Sequence, residues 1–86
     1  MPHLRLNLYN ASGDVPDVEG ADFADLADAR AQAIAGIRSV LSAEVLEGEV
    51  SLRGRLEIVD DNGSLLDTIP FEDALRVIPA DPHKSS

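Results

Sequence analysis

Cysteine and tryptophan are missing from this 86-residue chain, and its aromatics amount to one Tyr and two Phe. Without Cys there is no thiol nucleophile, no disulfide scaffold and no Cys-ligated zinc site, an absence that fits a cytoplasmic protein. Without bulky aromatics the core must be filled by Leu, Ile, Val and Ala. A single domain of this length buries only about two-thirds of its unfolded surface. With nothing to staple so modest a core, a homodimer is expected. Basic residues are also scarce, seven against sixteen acids, for a net charge of −9. That balance disfavours direct contact with nucleic acid, where Lys and Arg must displace counterions, and equally an anionic membrane surface. No apolar run approaches the roughly 20 residues that span a bilayer. The start, Met1-Pro2-His3-Leu4-Arg5, lacks the apolar stretch of a signal peptide. The expectation is a soluble cytoplasmic protein with one domain over residues 1–78 and a loose tail over 79–86.

What the chain does have is one long helical signal, from Asp25 to Gly48. At 100° per residue, Leu26, Ala29, Ala33, Ile37, Val40 and Leu41 gather into one stripe with Ile34 at its edge. Asp25 suits the N-cap, and Asp28 complements the positive end of the helix dipole. Gly48 suits the left-handed position that closes many helices. Glu44 and Glu47 oppose the dipole and weaken the last turn. Gly36, in mid-helix, costs about 1 kcal/mol relative to Ala.

Around this helix the pattern is strand and turn. Leu4, Leu6 and Leu8 alternate with Arg5, Asn7 and Tyr9, as in a strand with one buried face. Asn10 to Asp14 reverses the chain, and Pro16 makes the return an edge strand or an irregular segment. Phe23 is expected beneath the start of the helix. After Gly48, Val50, Leu52, Leu56 and Ile58 alternate with Ser51, Arg53, Arg55 and Glu57 to form the clearest strand. Gly54 interrupts it, at a bend or where the helix comes close. Asp60-Asp61-Asn62-Gly63 is a turn with two possible registers. A two-residue loop sets Ile58 opposite Asp67; a three-residue loop with a Gly63 bulge sets it opposite Leu66, the better-matched pair. The return runs to Ile69 and stops at Pro70, Phe71 to Leu75 forms a helical turn, and Val77 and Ile78 rejoin the sheet edge. The sum is an α+β fold, about four strands in ββαββ order, with the helix packed on one face of a small antiparallel sheet.

These residues resemble a family of small uncharacterised bacterial proteins, common in proteobacteria, whose function is unknown. The carriers are the Met1-Pro2 start before an alternating strand, Asp17-Val18-Glu19-Gly20, and the helix opening Leu26-Ala27-Asp28-Ala29-Arg30. Gly54-Arg55-Leu56-Glu57-Ile58 follows with Asp60 and Gly63, then Ile69-Pro70-Phe71-Glu72-Asp73-Ala74. The resemblance covers nearly all of residues 1–78 and implies the fold, with no activity attached. Members usually carry aromatics and a His in the first strand; Leu4, Leu6 and Asn7 stand in those places here.

Nothing in the sequence converges on catalysis. His3 and His83 lie at opposite ends, and Ser12, Ser39, Ser42, Ser51 and Ser64 sit in turns or exposed positions, away from a positioned base. No cofactor and no metal site is expected. The Asp60–Gly63 turn lacks the spacing of a calcium loop. An enzyme or small-molecule binder would need a pocket uniting residues such as Arg30, Arg55 and Tyr9. Asp14, Asp17, Glu19, Asp22, Asp25 and Asp28 form an acidic segment: a cation site, a surface that imitates a phosphate backbone, or a solvated rim that ends by capping the helix. Arg53, Arg55 and Glu57 project from the outward sheet face, either to bind a partner or to pair across strands. Val59 and Leu65 share that face, so both sides of the sheet carry apolar residues.

The leading expectation is therefore a non-enzymatic, self-associating interaction module. Its candidate surface is Arg53, Arg55, Glu57, Val59 and Leu65, with Asp17, Glu19 and Asp22. The alternative rests on a likeness to the strand-strand-helix domains of HicB-type antitoxins, which also set a Pro- and Gly-containing turn before an Ala-rich helix. It implies an acidic regulator that binds a basic protein partner, here without an attached DNA-binding segment.

Overall fold

The computed structural model describes residues 1–80. Helix α1 spans Leu26–Glu47 between the two expected caps. The Asp25 carboxylate accepts the Asp28 N–H at 2.8 Å, and the Asp28 carboxylate accepts the Ala24 N–H at 3.2 Å. Gly48 closes the helix at φ +90°, a conformation L side chains rarely adopt. Its N–H donates to the Val45 carbonyl, and the Glu49 N–H reaches the Glu44 carbonyl. The weakened last turn is further tied by the Glu44 carboxylate, which accepts the Ser51 N–H at 2.9 Å.

The helix buries a narrower row than the expected stripe. Ala29, Ala33, Ile37 and Leu41 are buried, one per turn, while Val40 is half-buried and Leu26 exposed. Twenty-two residues rise about 33 Å, whereas the six-residue strands beneath span about 20 Å. The helix therefore outruns its support, and Leu46 is 87% exposed on the overhang.

Five strands form one antiparallel sheet: β1 (His3–Asn10), β2 (Gly13–Val15), β3 (Ala21–Asp22), β4 (Arg55–Asp60) and β5 (Leu65–Pro70). The spatial order is β2-β1-β4-β5, with β3 also on β1. This is the expected α+β, ββαββ architecture, with the second strand split into two pieces. Leu8 pairs with Val15 and Leu4 with Ala21, so the five residues between them on the return run beside only three of β1. The surplus arches away as the Pro16–Gly20 loop. Leu4, Leu56, Ile58 and Ile69 turn one face of the sheet to the helix, and Phe23, Phe71 and Ala74 complete the core.

Four expectations are corrected. The strand after the helix begins at Arg55, not at Val50, because residues 49–54 cross from the end of α1 down to the sheet. Gly54 does mark a close approach, but to a ring rather than the helix: an added Cβ would sit 2.5 Å from Phe71 Cε2 and 2.7 Å from the Tyr9 carbonyl. In the β4–β5 hairpin Ile58 faces Asp67 and Val59 faces Leu65, leaving Leu66 as the extra residue. The turn fixes this register, because the Asp60 carboxylate takes both the Asn62 and Ser64 N–H groups and the Asp60 N–H donates to the Ser64 carbonyl. Leu66, expected in the core, is consequently 43% exposed. Val77 and Ile78 do not rejoin the sheet and are exposed. After β5 the chain turns through a 3₁₀ segment, Phe71–Asp73, held to α1 by the Arg38 Nε–H donating to the Ala74 carbonyl at 2.6 Å. Of the expected tail, Pro79 and Ala80 lack regular structure and 81–86 lie outside the described residues.

Candidate functional site

The side of the sheet away from α1 follows from the alternation of β1 and β4. Arg5, Asn7 and Tyr9 lie opposite Val59, Glu57 and Arg55, so these six share one uncovered face. The Arg55 guanidinium stands 4.5 Å from the Tyr9 ring centroid, and its Nε–H donates to Glu57 at 3.0 Å. Both contacts are at the surface, and each contributes at most about 1 kcal/mol. Leu65 continues this face at 56% exposure beside half-buried Val59. Arg53 precedes β4 and flanks the face, lining a shallow cleft with Arg55, Tyr9 and Asp14. The Pro16–Val18 loop walls the opposite side, and a trough of about 600 Å³ runs between it and the β4–β5 turn.

The acids forecast for this surface have other duties. Between β2 and β3 the Leu6 N–H has no strand partner, and the Asp17 carboxylate accepts it at 3.1 Å. The other Asp17 oxygen accepts the Gly20 N–H, and the Asp17 N–H donates to Asn7 Oδ1. One Asp therefore bridges the gap in the edge ladder and shapes the loop that spans it. Asp22 and Glu19 meet His3, whose Nδ1 lies 2.9 Å from Asp22 Oδ1 and Nε2 2.8 Å from the Glu19 carbonyl. Both partners are acceptors, so only an imidazolium can donate to both at once. The Asp22 hydrogen bond first, then the Glu19 carbonyl, raise the His3 pKa above its ordinary 6.5, with Asp61 adding its charge. Of the six acids from Asp14 to Asp28, Asp17, Asp22, Asp25 and Asp28 use their carboxylates within the fold.

The far side carries an ion pair and an apolar groove. Arg30 does not converge with Arg55 and Tyr9: as its place towards the apolar stripe implies, it rises from α1 on the opposite face and sends its head to an acid, Asp67 of β5. Along the other flank of the helix lies an apolar groove of about 340 Å³, lined by Leu6, Leu8, Val15, Pro16, Ala33 and Gly36 among others. Leu6 and Leu8 were placed on the buried face, yet both are only half-buried. A further recess of about 320 Å³ lies between Glu44, Glu47 and Glu49 and the tip of the β1–β2 hairpin. Among the described residues no group of His, Asp or Glu is arranged to hold a metal ion, and no helix is long and apolar enough to cross a membrane.

Residues 3–72 match the family model described as a domain of unknown function, DUF6894. The chain belongs to that family. No curated protein and no solved structure matches it. In this DUF6894 domain the match takes in all five strands and the helix and ends inside the 3₁₀ turn that carries Phe71.

Proposed function

We propose that this domain is a non-enzymatic interaction module that works by self-association. The observation that carries the reading is a mismatch of layers. A sheet four strands wide is covered by a single helix, and apolar residues that face the helix layer stay accessible beside it. Leu6 and Leu8 are half-buried and Val15 is 59% exposed. An apolar strip of this kind on a folded surface marks a contact site rather than a solvent face. The polar groups of the outward face support the same reading, since they are engaged with one another. Arg55 is held by Tyr9 and Glu57, Asp17 by backbone N–H groups, and Asp60 by its own turn. Sedimentation equilibrium or multi-angle scattering of the full chain is expected to give a mass above that of one chain at high micromolar concentration. A strict monomer there rejects the proposal.

A further inference from the structure

The groove beside α1 has a counterpart on the helix itself. Apart from Arg38, its exposed positions between Asp28 and Glu44 are Ala31, Gln32, Ala35, Gly36, Ser39, Ser42 and Ala43, none of them charged. The two charged residues in that stretch, Arg30 and Arg38, are committed to Asp67 and to the Ala74 carbonyl. In a chain of net charge −9, most approaches between two copies set acid against acid. Over these turns that repulsion is absent, and the neutral helix surface runs directly into the apolar groove through Gln32, Ala33 and Gly36. Gly36 itself is unexplained from within the domain. No atom of its own surroundings lies within 4 Å of where a Cβ would be, so nothing inside the domain requires a glycine there. Its cost to the helix has no internal compensation.

We infer that the groove is the seat of a second copy of this chain, with the two α1 helices packed antiparallel across a two-fold axis. The inference rests on the self-association proposed above and adds the surface that carries it. An antiparallel crossing centred between Ala35 and Gly36 sets Gln32 of each copy against Ser39 of the other and Asp28 against Ala43, so no acid meets an acid and the contact is self-complementary, as a two-fold interface must be. The absent Cβ at Gly36 lets the second helix descend towards Leu6, Leu8 and Val15 and cover them. The outward face is a poorer seat for a copy, because Arg5, Arg53 and Arg55 lie there beside Asp14 and Glu57.

The test uses two variants of the full chain. Gly36→Glu places a side chain in open space on helical backbone, so the fold is retained, and at concentrations below the parent's Kd its Tm stays at or above that of the parent chain. Self-association should weaken at least tenfold in Kd. Leu65→Glu, on the outward face, should leave Kd within about twofold. If Gly36→Glu associates like the parent, or if Leu65→Glu abolishes association, the groove is not the seat, although self-association itself stands. If the parent chain is already a strict monomer at high micromolar concentration, the self-association reading fails and this inference fails with it.

Discussion

The two edges of the sheet are closed with the same residue type, by different physics. At the β2–β3 edge Asp17 reaches across a gap and takes the Leu6 N–H, and every residue of β2 and β3 is exposed. At the β5 edge the Phe71 N–H donates to the Gly54 carbonyl, so the alternation of the ladder points the Thr68 N–H outward, and Asp67 accepts it at 2.8 Å. Pro70 follows two residues later in the same orientation and has no N–H to offer. This is why Val77 and Ile78 find no edge to join. Behind β5, however, Ile69, Phe71 and Ala74 are buried, and Asp67 is also paired with Arg30. One edge is held by polar side chains binding backbone, the other by a core with a polar trim. Both devices prevent open-ended strand addition, which leaves the groove and the faces for recognition.

If that contrast is right, the largest loss comes from the core behind β5. Phe71→Ala should lower unfolding free energy by about 3–5 kcal/mol in urea titrations, a large share of the stability of a small domain. A cost below about 1 kcal/mol would mean that the β5 edge is not anchored by burial.

Next come the two aspartates, compared directly. Asp17→Ala leaves the Leu6 and Gly20 N–H groups unpaired in a partly buried gap and should cost about 1–3 kcal/mol. Amide exchange should speed up at Leu6, Gly20 and the β3 residues while Ile69 stays protected. Asp67→Ala removes a half-exposed ion pair and one local hydrogen bond, for under about 1 kcal/mol. Equal costs at the two sites would erase the distinction between the edges.

The smallest effect is electrostatic and belongs to the β2–β3 edge alone. His3 binds its proton more tightly when folded, through Asp22 first and then the Glu19 carbonyl. Its contribution is therefore complete below the unfolded value of 6.5 and is lost as pH rises through the raised folded value. Amide resonances of Ala21 and Asp22 should track this titration, and His3→Gln should flatten the dependence. A His3 titration at or below 6.5 would show that the clasp is not formed by the imidazolium.

Much of this molecule is written in short-range signals. Asp25, Asp28 and Gly48 set the limits of α1 through bonds spanning three or four residues, and Asp60-Asp61-Asn62-Gly63 makes its turn from its own side chains. The alternation of β1 and of Arg55 to Ile58 assigned faces correctly, so the grouping of Tyr9, Arg55 and Glu57 was legible once β1 and β4 were taken as neighbours. An uncharged flank of α1 was also readable, in Ala31, Gln32, Ala35, Ser39 and Ser42, but only as an absence of charge. Tertiary structure decided the remainder: Ile58 facing Asp67, Asp17 serving Leu6, His3 clasping Asp22, and Arg30 turned away from Tyr9. Each of those contacts joins residues nine to thirty-seven positions apart. Local propensity carries no information at that range; the partner is chosen by which layer covers which, and by which backbone donors the strands leave unpaired.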